Sequence, residues 1–557
     1  MSEKTFNCAK HDNFGITIER YNFSGIRITD KSDNSIDCYY SEIRRKDNKD
    51  EAIDYTPPLP IRVNDVTYFA SNVSTVNVTC FLDKTHNESY SKVIALIPDL
   101  NINENTNLPK NLPNLLFIGI DSLSRVNFER HYPKTIPLLA KHKFYTLYGY
   151  NKVADNTFPN LTPLLTGQYL DDLWNEGMAK TTFLDFFPLV FKEYRNKSYN
   201  TLLIEDYPRL ATFNFFRLGF REPPTNYYLR PFSLAIEDNI ENNCYLDKPE
   251  IEVYYDYVYD FVKAMTVRKQ RYFAFTFMAR LTHDLLNNAG LADPLVYRLF
   301  SKLFDENLLS NTILIFFSDH GIRFGKIRET LSGKWEERMP LMQVYVPDTW
   351  KSDNWTLNKH RLITPFDIHA TLKHIINGQP DNSLKHGKSL LWEIPENRTC
   401  SSIPVLEHWC SCQSSDPITN LSSIEPLAQF VVESVNKYLS QNFSNNCIEL
   451  TLDRVISGYA IKFSEKVMQF KDSLNDVNNR HVVFNDEKFV ENSRNILVTV
   501  SVKPSDALFE ATVNVNQNKD NMTLIGEISR INKYGDQSNC IDNTQAKRYC
   551  FCKNHLH

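Results

Sequence analysis

The chain has 557 residues, of which 42% are hydrophobic and 13% aromatic, a composition typical of a globular protein rather than a collagen-like or disordered one. Its formal net charge of -5 comes from 62 basic and 67 acidic residues mixed along the sequence, so no basic surface for nucleic acid is indicated. The longest apolar runs are strand-sized, which argues against a membrane span in this chain because a span needs roughly 18 to 20 apolar residues.

Residues 1–110 are polar and rich in Asp and Asn. They end in a loop-like stretch at 98–107 and in the prolines Pro109 and Pro113, and such clusters mark turns and linkers. We predict an N-terminal β-rich cap and linker over 1–110.

From Leu115 onwards, short continuous apolar runs alternate with amphipathic segments. Uninterrupted apolar runs of strand length are typical of strands buried on both faces of a parallel sheet. We therefore predict that residues 111–395 form an α/β domain with a mostly parallel sheet flanked by helices. The five runs are 115–120, 201–204, 272–278, 312–317 and 341–346.

Four of these runs are followed by polar residues that carry chemistry. Ligands of open α/β sheets bind beyond the carboxyl ends of the strands, so these residues are expected to converge on one edge of the sheet. They are Asp121-Ser122, Glu205-Asp206, Thr282-His283-Asp284 and Ser318-Asp319-His320.

A helix is predicted from Pro365 to Ile376, with Thr364 as its cap and Asn377-Gly378 as its end. Asp367 and His369 in this helix resemble metal ligands. The simpler interpretation is that Asp367 is an acid in the first helical turn and that His369 lies on the surface. After Pro395 we predict a C-terminal disulfide-containing α+β domain over 396–557. Its alternating stretches at 495–502, 508–515 and 522–531 indicate an antiparallel meander.

The eleven cysteines include two runs with C-x9-C-x-C spacing, namely Cys400, Cys410 and Cys412, and Cys540, Cys550 and Cys552. Neither run has the C-x2-C knuckle of common structural zinc sites, so disulfides are favoured over zinc as the use of these thiols. Because eleven is odd, Cys447 or another thiol is expected to stay unpaired. Four more cysteines can form disulfides as well, namely Cys8, Cys38, Cys80 and Cys244.

Asn-x-Ser/Thr sequons are numerous, and together with the cysteines they indicate a glycoprotein that is secreted, extracellular or in the lumen of the secretory pathway. The N-terminus lacks the charged start and apolar core of a signal peptide, so we expect the targeting segment to be missing from this chain. The alternative is a shortened product that stays inside cells. The sequon asparagines are Asn22, Asn72, Asn77, Asn87, Asn160, Asn196, Asn354, Asn397, Asn420, Asn442 and Asn521.

The triplet Asp319-His320-Gly321 after a buried strand places an acid and an imidazole side by side. With Asp121 they would give a divalent cation three protein ligands and leave a position open, as catalytic zinc sites do. Zinc is our first choice, with manganese or magnesium as alternatives.

Thr157 would be the nucleophile, activated by the metal and placed at the positive end of a helix, where phosphate docks readily. The competing interpretations are a helix-capping Thr157 and an ordinary Asp-His turn.

Several motifs resemble the alkaline phosphatase and sulfatase superfamily, namely GIDSLSR, NTFPN with LLTG, and FFSDHG, in that order. Other motifs resemble more closely the sulfatase-like animal family known as domain of unknown function 229, namely SDHGIRFGKIRETL, EDYPRLATFNFF, LRPF, TPFDIHATL and EHWCSC. The resemblance covers most of the chain and implies an alkaline-phosphatase-like α/β fold. It also implies that Asp121, Thr157, Asp319 and His320 hold the metal, and it gives no substrate.

The chain departs from the sulfatase signature C/S-x-P-x-R. Thr157 replaces the residue that becomes formylglycine and Leu161 replaces the arginine, which disfavours sulfate-ester cleavage by that route. The run TFPN instead resembles the phosphodiesterase branch, which implies that Thr157 is the nucleophile and that Asn160 helps to hold a phosphoryl oxygen. Because Asn160 lies in a sequon and a glycan there would block the pocket, we expect Asn160 to be unglycosylated.

The Asp-x-x-x-His pair of the two-metal superfamily members is absent, which leaves a second metal in doubt. With one metal, His283 would donate a proton to the leaving oxygen or contact the phosphate, and Arg323 would neutralise its charge. The alternatives are a hydrogen-bonded His283 at a strand end and an Arg323 paired with Glu336 or Glu337.

We predict a secreted, metal-dependent phosphoryl hydrolase or transferase that acts on phosphate mono- or diesters, on a glycan or a lipid headgroup. One alternative is a non-catalytic secreted glycoprotein that binds phosphorylated or sulfated ligands. The other is a sulfate-ester hydrolase.

Overall fold

The computed structural model describes residues 5–8, 15–31, 36–81, 89–102, 109, 111–403, 405–463, 494–515 and 522–556. Among these residues, no helix combines the length and the apolar character that crossing a membrane requires.

The N-terminal part consists of short antiparallel strands in two small sheets. One sheet has the order β1-β2-β6, and the other has the order β4-β3-β7-β8 with β5 also paired to β3. The predicted β-rich character is therefore present, while the boundary at residue 110 stays a prediction. The strands are β1 (Ile16–Tyr21), β2 (Gly25–Asp30), β3 (Asp37–Arg45), β4 (Ile53–Tyr55), β5 (Leu59–Ile61), β6 (Val66–Tyr68), β7 (Thr75–Phe81) and β8 (Ser89–Ala95).

The central part is built on a seven-stranded sheet with the order β10-β18-β17-β9-β16-β11-β12. The strands from β17 to β12 in this order are parallel to one another. At the other edge, β18 pairs antiparallel with β17, and β10 pairs antiparallel with β18. The strands of this part are β9 (Asn114–Ile120), β10 (Tyr145–Thr146), β11 (Asn200–Glu205), β12 (Tyr227–Tyr228), β13 (Ile240–Glu241), β14 (Cys244–Tyr245), β15 (Lys248–Pro249), β16 (Tyr272–Met278), β17 (Thr312–Phe317) and β18 (Met342–Tyr345). The mostly parallel sheet is confirmed, and each of the five predicted runs contains a strand.

Helices cover both faces of this sheet, as predicted. Alternate residues of β9 enter different apolar clusters, with Leu116 and Ile118 on one face and Leu115 and Phe117 on the other. The helices are α1 (Arg125–His131), α2 (Thr135–Lys141), α3 (Thr157–Thr166), α4 (Leu170–Leu173), α5 (Val190–Asn196), α6 (Arg230–Ile236), α7 (Glu250–Val267), α8 (Ala289–Asp305), α9 (Leu331–Arg338), α10 (Asp353–Asn358) and α11 (Pro365–Asn377).

Helix α11 has the predicted ends, with Thr364 and Asp367 in a capping box and Gly378 in the left-handed conformation. Asp367 does not belong to the candidate metal cluster, and its carboxylate is paired with Arg398 at 2.7 Å. His369 was expected on the surface, but it is buried, and its ring packs where a Cβ on Gly167 would lie.

The C-terminal part is an antiparallel sheet with the order β19-β20-β21-β22-β23 and with helix α12 packed on it. The predicted meander is present as β21, β22 and β23, and two strands that were not predicted precede it. The elements are β19 (Gln413–Pro417), α12 (Glu425–Asn442), β20 (Thr451–Phe463), β21 (Arg494–Lys503), β22 (Ala507–Val515), β23 (Met522–Arg530) and α13 (Thr544–Lys547). The boundary at 395 stays a prediction.

Ten of the eleven cysteines form disulfides, and Cys412 is free and buried. The disulfide interpretation of the two cysteine runs is confirmed. The expectation of one unpaired thiol is confirmed, and that thiol is Cys412 rather than Cys447, which pairs with Cys550. The five bonds are Cys8–Cys244, Cys38–Cys80, Cys400–Cys410, Cys447–Cys550 and Cys540–Cys552.

Candidate active site

Asp121 and Asp319 follow the neighbouring parallel strands β9 and β17, whose register pairs Gly119 with Phe317. Gly119 is required here, because a Cβ would lie 2.6 Å from the Phe277 ring and 2.9 Å from the Phe317 ring. The two carboxylates therefore leave the sheet at the same edge, where both are buried, with 1% and 2% of their surface exposed. This is the convergence that the strand ends predicted.

The two oxygens of Asp319 have different surroundings. Oδ1 accepts hydrogen bonds from the backbone N–H of Ser122 at 3.3 Å and of His320 at 2.9 Å. Oδ2 is buried without a hydrogen-bond partner among the described residues. Burial raises the pKa of Asp319 and also that of Asp121. An orphaned, buried carboxylate oxygen is costly unless something outside the chain binds it.

His320 presents a lone pair to this oxygen. Its Nδ1 lies 2.8 Å from the carbonyl oxygen of Gly321, which can only accept, so we assign the ring proton to Nδ1. Burial lowers the pKa of His320 to about 4, so the ring is neutral at neutral pH. Its Nε2 then faces Asp319 Oδ2 at 3.0 Å and Asp121 Oδ1 at 3.9 Å. Electron-rich atoms facing one another leave a place suited to a cation.

The donor set fits a divalent metal. One ligand atom each from Asp121, Asp319 and His320 lies within 4.8 Å of the other two. Two carboxylates and one imidazole suit zinc or manganese. Among the residues that the structure describes, the other two candidate groups are cysteine triplets whose members are largely used in disulfides. The identity of the metal stays a prediction.

Thr157 lies beside this cluster, with its Oγ1 3.5 Å from His320 Nε2. It is the first residue of α3, and Asn156 occupies the cap position without a side-chain cap hydrogen bond. The helix-capping interpretation of Thr157 is therefore not supported. The first turn of α3 contains no acidic residue, so the positive end of the helix is available to an anion.

Asn160 is not brought to the cluster. Its Oδ1 accepts from the backbone N–H of Val153 at 2.9 Å and of Ala154 at 3.1 Å, and its Nδ2 donates to the carbonyl oxygens of Ala154 and Asn156. The amide is thus fully used in holding the loop before α3, which contradicts its predicted phosphoryl contact. The side chain is buried at 1% exposure, in keeping with the prediction that it carries no glycan.

A cavity of about 160 Å³ opens in front of Asp121 and Thr157. The predicted residues His283 and Arg323 line it, and so do Glu205 and Asp206 from the end of β11. Burial opposes protonation of His283, but its hydrogen bond to Asp284 at 3.0 Å and the charge of Asp121 outweigh burial and raise its pKa.

Arg323 does not pair with Glu336 or Glu337, so that alternative is wrong. Its Nη2 lies 2.7 Å from Asp155 Oδ2, and Arg548 Nη1 lies 2.9 Å from the same oxygen. The Nε of Arg323 is buried without a hydrogen-bond partner within the described part of the chain.

Sequence reasoning missed the far wall of the cavity. Arg217 lies in an irregular segment between β11 and β12, and Tyr534, Thr544 and Arg548 come from the C-terminal part. No motif marks these residues, because they meet the strand tips only after the C-terminal part has packed on the central part. The site is therefore shared between two parts of the chain.

A family model described as "Protein of unknown function (DUF229)" matches residues 3–456. No curated protein matches the chain. Three similar structures are the lipoteichoic acid synthase LtaP from Listeria monocytogenes, a protein in the alkaline phosphatase superfamily from Vibrio parahaemolyticus, and the C-terminal periplasmic domain of EcEptC from Escherichia coli.

Their sequence identities to this chain are 12%, 10% and 16%, and their TM-scores are 0.36, 0.36 and 0.34. The matches cover 52%, 79% and 51% of this chain, and 79%, 85% and 88% of the respective structures. At these TM-scores the likenesses carry no argument about the activity of this chain.

Proposed function

We propose, from the premise that this chain belongs to the DUF229 family, that it is a metal-dependent phosphoryl hydrolase or transferase with Thr157 as its nucleophile. One observation carries the proposal. Two buried carboxylates and the lone pair of a neutral imidazole converge without a paired cation among the described residues, and a hydroxyl at a helix N-terminus lies 3.5 Å from that imidazole.

A divalent cation held by Asp121, Asp319 and His320 would supply charge stabilisation at the phosphoryl oxygens and lower the pKa of the Thr157 hydroxyl. Thr157 Oγ1 loses its proton to water and forms a bond to phosphorus while the bond to the leaving oxygen breaks. The N-terminus of α3 binds the phosphoryl oxygens through its free N–H groups and dipole. Water or an alcohol subsequently breaks the phosphorus bond to Oγ1, which gives hydrolysis or transfer respectively.

Two residues of the cavity wall assist these steps. His283 lines the cavity and donates a proton to the leaving oxygen or a hydrogen bond to the phosphate. Arg323 offers its unpaired Nε to a phosphoryl oxygen while Asp155 holds its Nη2. Asn160 acts indirectly, since it positions the loop that precedes Thr157.

The test is turnover of bis(4-nitrophenyl) phosphate and 4-nitrophenyl phosphate in the presence of zinc, manganese or magnesium. We expect metal-dependent turnover that falls on the order of 10³-fold or more in Thr157→Ala. Thr162→Ala is the matched control, because its hydroxyl lies in the same helix and bonds to the carbonyl oxygen of Phe158. A folded Thr157→Ala protein with undiminished turnover would remove the assignment.

We also propose that the protein works outside the cell or in the lumen of the secretory pathway. Ten of its eleven cysteines are paired, and disulfides persist in oxidising compartments.

A second candidate is a glycoprotein that binds phosphorylated or sulfated ligands without turnover. It is favoured by the finding that only one cluster of carboxylate and imidazole ligands occurs among the described residues.

A further inference from the structure

The cavity is larger than the reacting group requires. Its volume of about 160 Å³ has room for on the order of ten water molecules, whereas a phosphoryl group takes only a part of it. The remaining wall has the aromatic residues Phe215, Phe324 and Tyr534, the cation Arg217 and the carboxyl groups of Glu205 and Asp206. The cavity therefore has room for a second portion of the substrate against this wall.

Arg217 is a cation of this wall that is held by uncharged groups. Its guanidinium carbon lies 3.9 Å from the centre of the Phe158 ring, which directly follows Thr157 in the chain. Its Nη1 donates to the carbonyl oxygen of Phe215 at 2.8 Å. Its Nε is buried and has no hydrogen-bond partner among the described residues.

The positive charge of Arg217 is not matched by an ion pair in the described part of the chain. The acidic residue whose charge acts on it, Glu176, accepts a hydrogen bond from Thr544 at 2.7 Å. Arg323 and Arg548, by contrast, share Asp155. Burial lowers the pKa of Arg217 to about 10, so it remains a cation at neutral pH. Arg217 is partly buried, and a cation drawn out of water without a partner is unfavourable, a cost that an anion on a ligand reduces.

In the proposed function, another arginine, Arg323, already binds the reacting phosphoryl group. Arg323 is the arginine whose charge acts on both Asp121 and His320. Arg217 is thus left for a group that lies further from the reacting phosphorus.

A cationic headgroup does not fit this wall. The rings of Phe158, Tyr207 and Phe324 would be the natural partners of a quaternary ammonium. Each of them already carries the guanidinium of an arginine, namely Arg217, Arg280 and Arg323. Glu205 and Asp206 also line the cavity, but they accept hydrogen bonds from the backbone N–H groups of Thr212 and Ala279, and burial raises the pKa of both carboxyl groups. The wall beside Arg217 therefore favours an anion.

We infer that the substrate is an ester with a second anionic group, a carboxylate, a sulfate or a further phosphate, and that Arg217 binds this group. The inference rests on the proposed function, and it names Arg217 as the residue that determines specificity.

The experiment compares phenyl phosphate with its 3-carboxy and 4-carboxy derivatives as substrates of the full chain with added zinc or manganese. We expect at least one carboxylated probe to have a kcat/KM about tenfold or more above that of phenyl phosphate, as a charged hydrogen bond provides. Arg217→Gln should abolish this preference, and Arg217→Lys should restore part of it. Arg221→Gln is the control, because its side chain is exposed and lies over Phe183.

The outcomes separate the two proposals. Turnover without preference for a carboxylated probe, or a preference that Arg217→Gln leaves intact, overturns the inference and leaves the proposed function standing. If no probe is turned over, the proposed function fails, and calorimetry with phenylphosphonate and its carboxylated derivatives then tests Arg217 directly. Equal affinities of the wild-type protein for the phosphonates overturn the inference in that case as well.

Discussion

Among the buried clusters of charged residues in the described part of the chain, two are built in opposite ways. Under the C-terminal sheet, the carboxylate of Glu510 lies 3.0 Å from Lys334, 3.4 Å from Arg328 and 3.8 Å from Arg338. At the tips of the central strands, Asp121 and Asp319 face a neutral His320, and no cation of the described chain is paired with them. The first cluster contains its own counter-charges, and the second does not.

The pKa values follow this difference. Burial alone would raise the pKa of Glu510, but Lys334, Arg328 and Arg338 outweigh burial and hold the pKa below its usual range. Burial raises the pKa of Asp319, and the nearby groups do not reverse it. The comparison teaches that the Glu510 cluster serves to join two parts of the chain, whereas the strand-tip cluster is suited to a cation from solution.

The largest expected effect on stability is that of Glu510→Gln. It takes their shared counter-charge from three buried cations, of which only Arg328 keeps a second carboxylate among the described residues, that of Glu337 at 3.7 Å, and breaking such a network costs ~3–5 kcal/mol in the free energy of unfolding. Denaturant unfolding of the metal-free protein measures this. The contribution of the Glu510 carboxylate is present above its pKa in the unfolded chain and is lost as the pH falls through its lower pKa in the folded protein.

Asp506→Asn is the control for Glu510→Gln, since Asp506 pairs with Lys503 on the surface and its loss should change stability by less than about 0.5 kcal/mol. If the two variants were equally stable, the Glu510 cluster would not join the parts of the chain as we describe.

Addition of metal should have the next largest effect. A cation at about one hundred times its Kd stabilises the folded state by ~2.7 kcal/mol, because it binds the folded protein and not the unfolded chain. We expect zinc or manganese to raise the melting temperature of the wild-type protein and not that of Asp319→Asn. An equal rise in both proteins would show that the ion binds elsewhere.

Asp319→Asn should give the smallest effect in the metal-free protein, and its sign is opposite to that of Glu510→Gln. The pKa of Asp319 is higher in the folded protein than in the unfolded chain. The metal-free wild-type protein therefore loses stability as the pH rises from the unfolded-state pKa through the folded-state pKa, and the variant does not. At neutral pH the variant should be ~1 kcal/mol more stable, as substitutions at functional sites often are. Unfolding curves measured across this pH range test the sign, and a destabilised variant would contradict it.

The sequence predicted those features that depend on patterns of neighbouring residues. Continuous apolar runs predicted the parallel strands. The position of Asp121 and Asp319 directly after β9 and β17 predicted that their carboxylates meet at one edge of the sheet. The helix α11 was predicted with its cap and its end because Thr364 and Gly378 have the residue types that these positions require.

The remaining features depend on contacts between distant segments. Arg217 and Arg548 reach the cavity through the packing of irregular segments, which no periodicity reveals. Asn160 was assigned to the phosphate by resemblance, but its amide is taken up by the backbone of its own loop. Glu510 lies in a buried strand, and its sequence gives no sign of the three cations that pack against it.

The metal content of the protein tests the central claim most directly. Inductively coupled plasma mass spectrometry measures this content. We expect one divalent ion per wild-type chain, bound on purification or after addition of zinc, manganese or magnesium, and close to none in Asp319→Asn. A wild-type protein that takes up no divalent ion, or an Asp319→Asn protein that retains it, would contradict the claim that Asp121, Asp319 and His320 form a metal site.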